Sequence, residues 1–403
     1  MKRFFIFGAA AAVFAGSSSA ASLSVSLVQN WTDNLFQNRY AAADAMTAAG
    51  LAWEKSFSEF GLFAGLDYSA LRENSGMSLA SLSGGADYLQ ALGDRTALYL
   101  SVAGNASLFR AEYSDFNYEG VRFAASLKSY LTPSSIFKAA AVSEFRSYRY
   151  APFDFLSQGL SVSLDKYFSS RTTLQAELGW GYKYFFHPQT IAPEADAAGL
   201  VPPEGGGGFG YVGYGNGGYR HGGYGGGNRG GGEYAPVAEA AAGKGIQVAS
   251  FQARAAQGLG ERVGLRLGGI IQWNVSGENP FSTVEEFMMI ENPTSDAFSW
   301  EGMGWNAQLS ALLPWNVNAR LGYNTTEMTF PGIESRDLEG NPLGFIREDK
   351  RSRWEISAEK DFGCWSLKLM YARIRNESND PLFDWGGGFL SGGLQWGFDW
   401  GAK

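Results

Sequence analysis

Apolar and polar residues alternate with a period of two over most of this chain. The clearest case is Thr172–Phe186, where from Leu174 to Tyr184 one face carries only apolar or aromatic side chains, and the residues between them are glycines, Gln175, Glu177 and Lys183. A β-strand sends successive side chains to opposite faces, so the pattern predicts a strand with one apolar face. The apolar face ends in a cluster of rings, which is typical of a strand that meets lipid and places aromatic residues at the membrane boundary.

The same pattern recurs along the chain and predicts about sixteen strands, each near the ten residues that a tilted barrel strand needs. The predicted strands are Leu23–Gln29, Thr47–Phe57, Phe60–Leu71, Met77–Gln90, Thr96–Phe109, Gly120–Tyr130, Ile136–Tyr148, Gly159–Phe168, Thr172–Phe186, Gln247–Gln257, Val263–Val275, Gly304–Leu313, Val317–Thr326, Arg353–Phe362, Trp365–Arg375 and Phe389–Trp400.

Tight turns alternate with longer polar loops between these strands. The predicted loops include Tyr113–Tyr118, Gly277–Phe298 and Phe330–Glu348. An even strand count with this alternation predicts an all-β fold, a single transmembrane antiparallel up-and-down β-barrel with short periplasmic turns and long extracellular loops. The alternative is a pair of soluble β-sandwiches, whose strands are usually shorter and whose turns lack the alternation.

The start of the chain is typical of an export signal. Lys2 and Arg3 precede an apolar run and a stretch of small residues, so 1–21 is predicted to be a signal peptide and 22–403 the barrel. Loss of these two positive charges would change the formal net charge from −8 to −10. An acidic chain argues against nucleic acid as a partner. Cys364 is the only cysteine, which excludes an intrachain disulfide.

The closing strand carries a more specific signal. In Phe389–Trp400, the aromatic residues Trp396, Phe398 and Trp400 alternate with glycine and Asp399. With the strand repeat, this resembles the outer-membrane β-barrel proteins of Gram-negative bacteria, and the chain is porin-like in size. It departs from that family in the three residues that follow the last aromatic ring. The resemblance implies contact with outer-membrane lipid, the barrel assembly machinery as a partner in biogenesis and, by analogy alone, a homotrimer.

A barrel of about sixteen strands is wide enough to leave an aqueous channel. Charged side chains on the polar faces would line it and set ion selectivity, although many would simply pair across neighbouring strands. The predicted pore-lining residues are Arg122, Lys128, Lys138, Glu144, Arg146, Asp165, Glu177, Lys183, Arg254, Arg266, Arg320, Arg353, Glu355 and Glu359.

A long insert, 187–245, interrupts the strand pattern. Its middle, Gly205–Gly232, is a glycine tract interleaved with tyrosine. Such a composition buries too little apolar surface to offset the entropy lost on ordering, so it predicts a mobile extracellular loop. This loop would be a solvated tether, or a sticky element that folds over the mouth or contacts surface partners.

Residues suited to catalysis or metal binding are few. His187 and His221 are the only histidines, and neither has a partner at ligand spacing. A zinc site or a Ser–His hydrolase needs such a base in a rigid setting, so we predict neither an enzyme nor a cofactor. Glu285 and Glu286, with Glu291 and Asp296, could bind calcium weakly in Gly277–Phe298, but we interpret this segment as an exposed acidic loop.

Together these patterns favour a porin-like channel in the outer membrane of a Gram-negative bacterium, passing small hydrophilic solutes or ions by passive diffusion and narrowed by inward-folded loops. The alternative is a non-conducting barrel that acts as a surface scaffold or adhesin through its long extracellular loops. A third candidate is a receptor or exporter with a periplasmic partner, which the lack of a plug domain and of a coupling motif disfavours. The polar lumen favours the channel, and the glycine–tyrosine insert favours the scaffold.

Overall fold

The computed structural model describes residues 21–187, 244–281, 284 and 286–400. Within these ranges the chain forms sixteen strands: β1 Ala21–Thr32, β2 Asp44–Phe57, β3 Phe60–Leu71, β4 Leu79–Ala91, β5 Thr96–Phe109, β6 Tyr118–Thr132, β7 Ser135–Tyr148, β8 Phe155–Tyr167, β9 Thr172–Phe185, β10 Lys244–Leu259, β11 Val263–Ser276, β12 Glu301–Leu313, β13 Val317–Arg336, β14 Pro342–Asp361, β15 Trp365–Ser378 and β16 Trp385–Trp400. Short 3₁₀ helices lie in four described connections, at Ser75–Met77, Ala111–Phe116, Ala151–Phe153 and Pro314–Asn316. No helix in the described ranges has the length and apolar character needed to cross a membrane.

The sheet closes on itself. Each strand pairs antiparallel with its neighbours in sequence, and β1 pairs with β16. The closing register joins Ala21 to Trp400 at one end and Thr32 to Phe389 at the other. A closed sheet leaves no edge strand with unpaired backbone groups, which is the condition for crossing a membrane with strands. The sixteen-strand, all-β, up-and-down barrel predicted from the sequence is confirmed.

Connection length distinguishes the two ends of the barrel. At one end, which we call the turn end, seven connections of two to four residues join the strands, such as 58–59 and 133–134. The other end, which we call the loop end, carries the longer connections, including 33–43 and 277–300. Short and long connections alternate along the chain, as the sequence predicted. All the short ones lie at the turn end and all the longer ones at the loop end.

The outward face of the barrel is an apolar belt. Leu178 on β9 is 59% exposed, Trp305 on β12 is 53% exposed and Ile356 on β14 is 56% exposed. Soluble monomers rarely expose so much contiguous apolar surface, whereas the lipid-facing wall of a membrane barrel requires it. The polar alternate residues of the same strands therefore face inward.

The predicted loop Phe330–Glu348 is wrong, because these residues form a hairpin in which β13 and β14 run on to a five-residue turn, 337–341. The register shifts between Thr329 and Glu334. Gly332 lies inside this shift at φ +79°, a conformation that glycine adopts without strain. A bulge moves the alternation by one residue, so the period-two pattern breaks although the strand continues.

Two predicted segments lie wholly or largely outside the described residues. The signal peptide was placed at 1–21, and β1 already includes Ala21. The insert was placed at 187–245, and β10 begins at Lys244. The glycine tract lies beyond the described ranges, so the export signal and the mobile loop stay predictions.

A charge on the outward face should destabilise the barrel more than the same charge on the inward face. Leu178→Arg places a guanidinium in the apolar belt and should cost about 2–4 kcal/mol of unfolding free energy. The matched change Ser161→Arg, on the neighbouring strand β8, points into the lumen, where water solvates the charge. Urea unfolding of protein refolded into lipid vesicles measures both changes. Equal losses would contradict the assignment of the two faces.

Candidate functional site

The charged residues predicted to line a pore lie on the inward face of the barrel. On β9, Leu178 and Trp180 are exposed on the outward face, whereas Lys183 is buried on the inward one. The same alternation places all the candidates inward: Arg122, Lys128, Lys138, Glu144, Arg146, Asp165, Glu177, Lys183, Arg254, Arg266, Arg320, Arg353, Glu355 and Glu359. Their part in conduction stays a prediction.

Many of these side chains pair along the wall. Four pairs join candidates to one another: Lys138–Asp165 at 2.6 Å, Glu144–Arg146 at 2.6 Å, Arg353–Glu355 at 2.6 Å and Arg320–Glu359 at 3.8 Å. Of these, Arg353–Glu355 and Arg320–Glu359 join partly exposed side chains, and pairs of that kind contribute about 0–1 kcal/mol each. They therefore order the lumen surface more than they stabilise the barrel.

The remaining candidates behave differently. Lys183 pairs with a loop residue described below, and five candidates form no ion pair with any described residue: Arg122, Lys128, Glu177, Arg254 and Arg266. Arg254 donates to the side-chain oxygen of Gln252 at 2.8 Å. The Lys128 ammonium lies 4.9 Å from the centre of the Tyr130 ring. These cations keep their net charge inside the barrel.

Three inward carboxylates on neighbouring strands were not among the predicted residues, although the period-two pattern of their strands was a sufficient signal. They are Glu54 on β2, Asp67 on β3 and Asp87 on β4, and none of them pairs with a described base. We call them the acidic wall. In the ring of sixteen strands, β3 stands eight strands from β11, so the acidic wall faces Arg254 and Arg266, the arginine wall. All five residues lie in the eight strand positions nearest the turn end.

The connection between β11 and β12 folds across the lumen at the loop end. We call its described residues, 277–281, 284 and 286–300, the crossing loop. Met288 donates its backbone N–H to the carbonyl oxygen of Leu35 at 2.7 Å, and Leu35 lies between β1 and β2. The Phe287 ring packs edge-on against Phe116, between β5 and β6, at 6.3 Å between centroids. Because these partners lie on separate parts of the ring, the crossing loop spans the opening.

An apolar cluster forms where the crossing loop meets the walls. The loop contributes Phe287, Met288 and Ile290. The strands contribute buried side chains from around the ring: Met46, Leu71, Tyr148, Phe155, Phe185, Ile246, Val248, Ile374 and Trp385. An apolar core therefore bridges the lumen at the loop end, whereas the lumen near the turn end carries charged side chains.

Acidic residues of the crossing loop contact basic residues of the wall in three places. Asp296 pairs with Lys183, Glu291 with Arg146 at 2.9 Å, and Glu286 with Arg351 at 2.5 Å. The prediction of an exposed acidic loop at Gly277–Phe298 is therefore wrong. Its apolar residues are buried against the barrel wall, and its acidic residues pair with inward-facing cations. The local sequence reveals neither contact.

A fully buried ion pair lies beneath the crossing loop. The side chains of Arg347 and Asp349 on β14 are 1% and 0% exposed, with 2.6 Å between Nη2 and Oδ2. Asp349 also accepts hydrogen bonds from Asn376 Nδ2 at 3.0 Å and Ser378 Oγ at 2.6 Å. Arg347 Nη1 donates to the carbonyl oxygen of Val284, in the crossing loop, at 2.9 Å. The sequence reading missed this pair because the predicted strand began too late to include it.

The connection between β15 and β16 holds a partly desolvated carboxyl group. Burial raises the pKa of Asp380 above its ordinary value. The backbone N–H groups of Arg336 and Leu382 each donate to it at 3.0 Å, which acts in the opposite direction. Asp380 thereby ties this connection to the end of β13.

The residue types that could bind a metal lie apart from one another in the described part of the chain. No set of three or more histidine, cysteine, aspartate or glutamate side chains is arranged to hold a metal there. His187 follows the end of β9, and His221 lies outside the described ranges. Cys364 is an exposed free thiol at the turn end.

Removing one partner of the buried pair should be costly. Asp349→Asn leaves the Arg347 guanidinium buried without its counter-charge, and we expect a loss of about 3–5 kcal/mol of unfolding free energy. The control Glu359→Gln breaks an exposed pair with Arg320 and should cost less than about 1 kcal/mol. Urea unfolding in lipid vesicles compares the two. A similar loss in both variants would show that burial of the Arg347–Asp349 pair has no energetic weight.

Comparisons with known proteins agree with this fold. No family model matches the chain, and no curated protein matches it. A bacterial polysaccharide outer membrane secretin superposes with a TM-score of 0.50 at 7% identity, over 94% of this chain and 98% of that one. Pseudomonas aeruginosa OpdO gives 0.49 at 12% identity over 95% and 97%, and Acinetobacter baumannii OccAB1 gives 0.48 at 10% identity over 95% and 97%. In fold, this chain is a closed sixteen-strand antiparallel β-barrel similar to that of a bacterial outer membrane protein.

Proposed function

We propose that this chain is a channel in the outer membrane of a Gram-negative bacterium, through which small polar solutes or ions diffuse passively. The apolar belt supports a place in a membrane, because water would leave side chains such as Leu178 and Ile356 unfavourably exposed. The closed antiparallel barrel is the architecture that outer membranes use. The predicted export signal fits that location.

The opposed charged walls are the observation that carries this proposal. Glu54, Asp67 and Asp87 stand on one side of the lumen, and Arg254 and Arg266 stand on the other. Pairing across neighbouring strands would be the stabilising arrangement for such charges, and Lys138–Asp165 and Arg320–Glu359 use it elsewhere on the wall. Unpaired charges of both signs in a polar lumen instead remain available to ions and solutes that pass between them.

Small residues keep the lumen open beside the acidic wall. A side-chain carbon added at Gly61 would lie 2.6 Å from Asp87 Oδ1, and one added at Gly65 would lie 2.7 Å from Ser83 Oγ. The Asp87 carboxylate therefore occupies the space that a side chain at Gly61 would fill. The charge is therefore presented at the lumen surface while the cross-section stays wide.

Walls of opposite charge act on a passing solute through their field. A dipolar solute gains free energy by aligning its ends with the two walls, and a low-dielectric barrel concentrates that field in the water between them. Salt screens the effect over a distance of about 8–10 Å. The turn-side half of the lumen therefore favours small charged or dipolar solutes over apolar ones.

The crossing loop makes the loop end the restricted part of the path. Its apolar cluster excludes water, and an apolar constriction stops hydrated solutes until it widens or shifts. This cluster is also the specific observation that favours the second candidate function, a non-conducting barrel whose loops serve as a surface scaffold. Conductance measurements separate the two.

Removing the arginine wall should shift the lumen towards cations. In planar bilayers under a KCl gradient, we expect the double variant Arg254→Gln/Arg266→Gln to move the reversal potential towards the potassium equilibrium potential, because the acidic wall then has no arginines opposite it. The control Arg375→Gln removes an outward charge that pairs with Asp384, and it should leave the reversal potential unchanged.

The same recordings test the channel itself. Glu286→Gln removes the ion pair between the crossing loop and Arg351 and so loosens the loop. We expect channels of this variant to open more often than wild-type channels. Silence from both proteins, each shown by heat-modified electrophoretic mobility to be folded, would overturn the channel proposal in favour of the scaffold. An unchanged reversal potential in the double variant would contradict the role of the arginine wall but would leave the channel proposal standing.

A further inference from the structure

A groove of about 680 Å³ lies on the outward face of the barrel, across β5 to β8. The middle of the groove is lined by small side chains, which are those of Ala125, Ala141 and Ser143. Larger side chains border it on both sides: Leu100, Val102 and Phe123 towards β5, and Leu160 and Trp180 towards β9. We call this feature the outward groove.

Two polar side chains face the outward groove inside the apolar belt. Ser143 on β7 and Gln158 on β8 lie directly opposite each other, on the outward side of their strands. The next outward residues along those strands are apolar: Phe145 beyond Ser143, and Leu156 and Leu160 on either side of Gln158. Both polar groups therefore lie within the belt and not beyond its edge.

The Gln158 amide and the Ser143 hydroxyl form no hydrogen bond with a described residue. Two other outward glutamines do have partners: Gln29 accepts from Thr47 Oγ1 at 2.6 Å, and Gln90 accepts from the hydroxyl of Tyr88. A primary amide has two N–H donors and a carbonyl acceptor, and hydrocarbon satisfies none of them. Gln158 is therefore unfavourable on a lipid-facing wall unless a polar partner covers it.

A lipid chain and a second copy of the protein could each fill the outward groove, and the amide distinguishes between them. An acyl chain packs against Ala125 and Ala141 but leaves Gln158 without a hydrogen bond. The amide of a second copy both donates and accepts, so it satisfies an identical amide. Interfaces between membrane helices combine small residues, which allow close approach, with polar side chains that bond across them, and the same physical reasons apply to two barrel walls.

The position of Gln158 fits a two-fold axis. It lies on β8, between the small outward residues of β7 and the large outward residues Leu178 and Trp180 of β9. A two-fold axis beside Gln158 brings β9 of each copy against β7 of the other, so large side chains meet small ones on both sides of the axis. Gln158 then meets its own copy. The patch is thus complementary to itself, as a two-fold dimer requires.

We propose that this chain forms a two-fold dimer in the membrane through the outward groove, with the Gln158 amides of the two copies hydrogen-bonded to each other. The partner at this surface is therefore a second copy of this chain. The inference goes beyond the channel function and does not depend on conduction, because the interface lies on the outer wall and each copy keeps its own lumen. It also differs from the homotrimer that the resemblance implies.

Counting copies in a membrane tests the proposal on the full chain. Cys364 is the only cysteine and is exposed, and its turn between β14 and β15 lies on the opposite side of the ring from β8. A maleimide dye on Cys364 therefore labels each copy without touching the outward groove. In phosphatidylcholine vesicles, single-molecule photobleaching should show two steps per particle at high protein density and one step after dilution with lipid. One step at every density would leave the groove to lipid chains, and three steps would indicate a homotrimer; either result would overturn the proposal.

Variants test which face forms the dimer. Gln158→Leu should raise the protein density at half dimerisation at least about tenfold, because the hydrogen bonds between copies are lost while apolar contact remains. Ala141→Phe should have a similar effect, since its ring fills the groove. The control Ala307→Phe places the same ring on the outward face of β12, also six residues from the turn end of its strand, and should dimerise like the wild type.

Folding does not obscure this comparison, because all three variants keep or extend the apolar belt, and heat-modified electrophoretic mobility checks each of them. Dimerisation as strong as that of the wild type in folded Gln158→Leu and Ala141→Phe would place the interface on another face and contradict the proposal.

Bilayer recordings on the same protein keep the dimer separate from the channel proposal. A protein that conducts but stays monomeric at every density would refute the dimer and leave the channel proposal standing. A protein that dimerises through the outward groove but never conducts would refute the channel and leave the dimer standing.

Discussion

Closure of the sheet between β1 and β16 is the constraint on which the rest of the structure depends. Every strand then has two hydrogen-bonded neighbours, so no backbone donor or acceptor of an edge strand faces the apolar surroundings. Closure also fixes the two faces of each strand. The outward residues must be apolar, and the inward residues are free to be polar, charged or small.

Sixteen strands enclose more space than strand side chains can fill, so the interior has to be organised by other means. On the turn side it is organised by charge, with Asp87 and its neighbours opposite Arg266 and Arg254. At the loop end it is organised by packing, because the crossing loop brings Phe287 and Met288 into contact with residues from several strands. The lumen is therefore lined by charged side chains near the turn end and by an apolar cluster at the loop end.

The sequence specifies the wall of the barrel well because the wall obeys local rules. Alternation, turn residues and the aromatic closing strand were enough to predict all sixteen strands, and alternation alone assigned the inward side of Lys183 and Arg254. It failed where alternation itself is interrupted, at the Gly332 bulge, and so mistook a long hairpin for a loop.

The path of the crossing loop cannot be predicted from the local sequence either, but for a different reason. Its acids lie far along the chain from the bases that bind them: Asp296 is 113 residues from Lys183, and Glu286 is 65 residues from Arg351. Composition shows that the segment is acidic, which is equally compatible with a solvated loop. Only the closed ring brings the loop and those cations together, so the site depends on barrel closure.

Ion pairs of two kinds in this barrel indicate which contacts are permanent. Arg347 and Asp349 are both buried, and each is held by further hydrogen bonds, so neither can leave without exposing the other to an apolar environment. In the pair of Lys183 and Asp296 only the base is buried. The first kind of pair fixes the fold beneath the crossing loop. The second kind joins a buried base of the wall to a partly exposed acid of the crossing loop, so it holds the loop across the lumen while one of the two charges still contacts water.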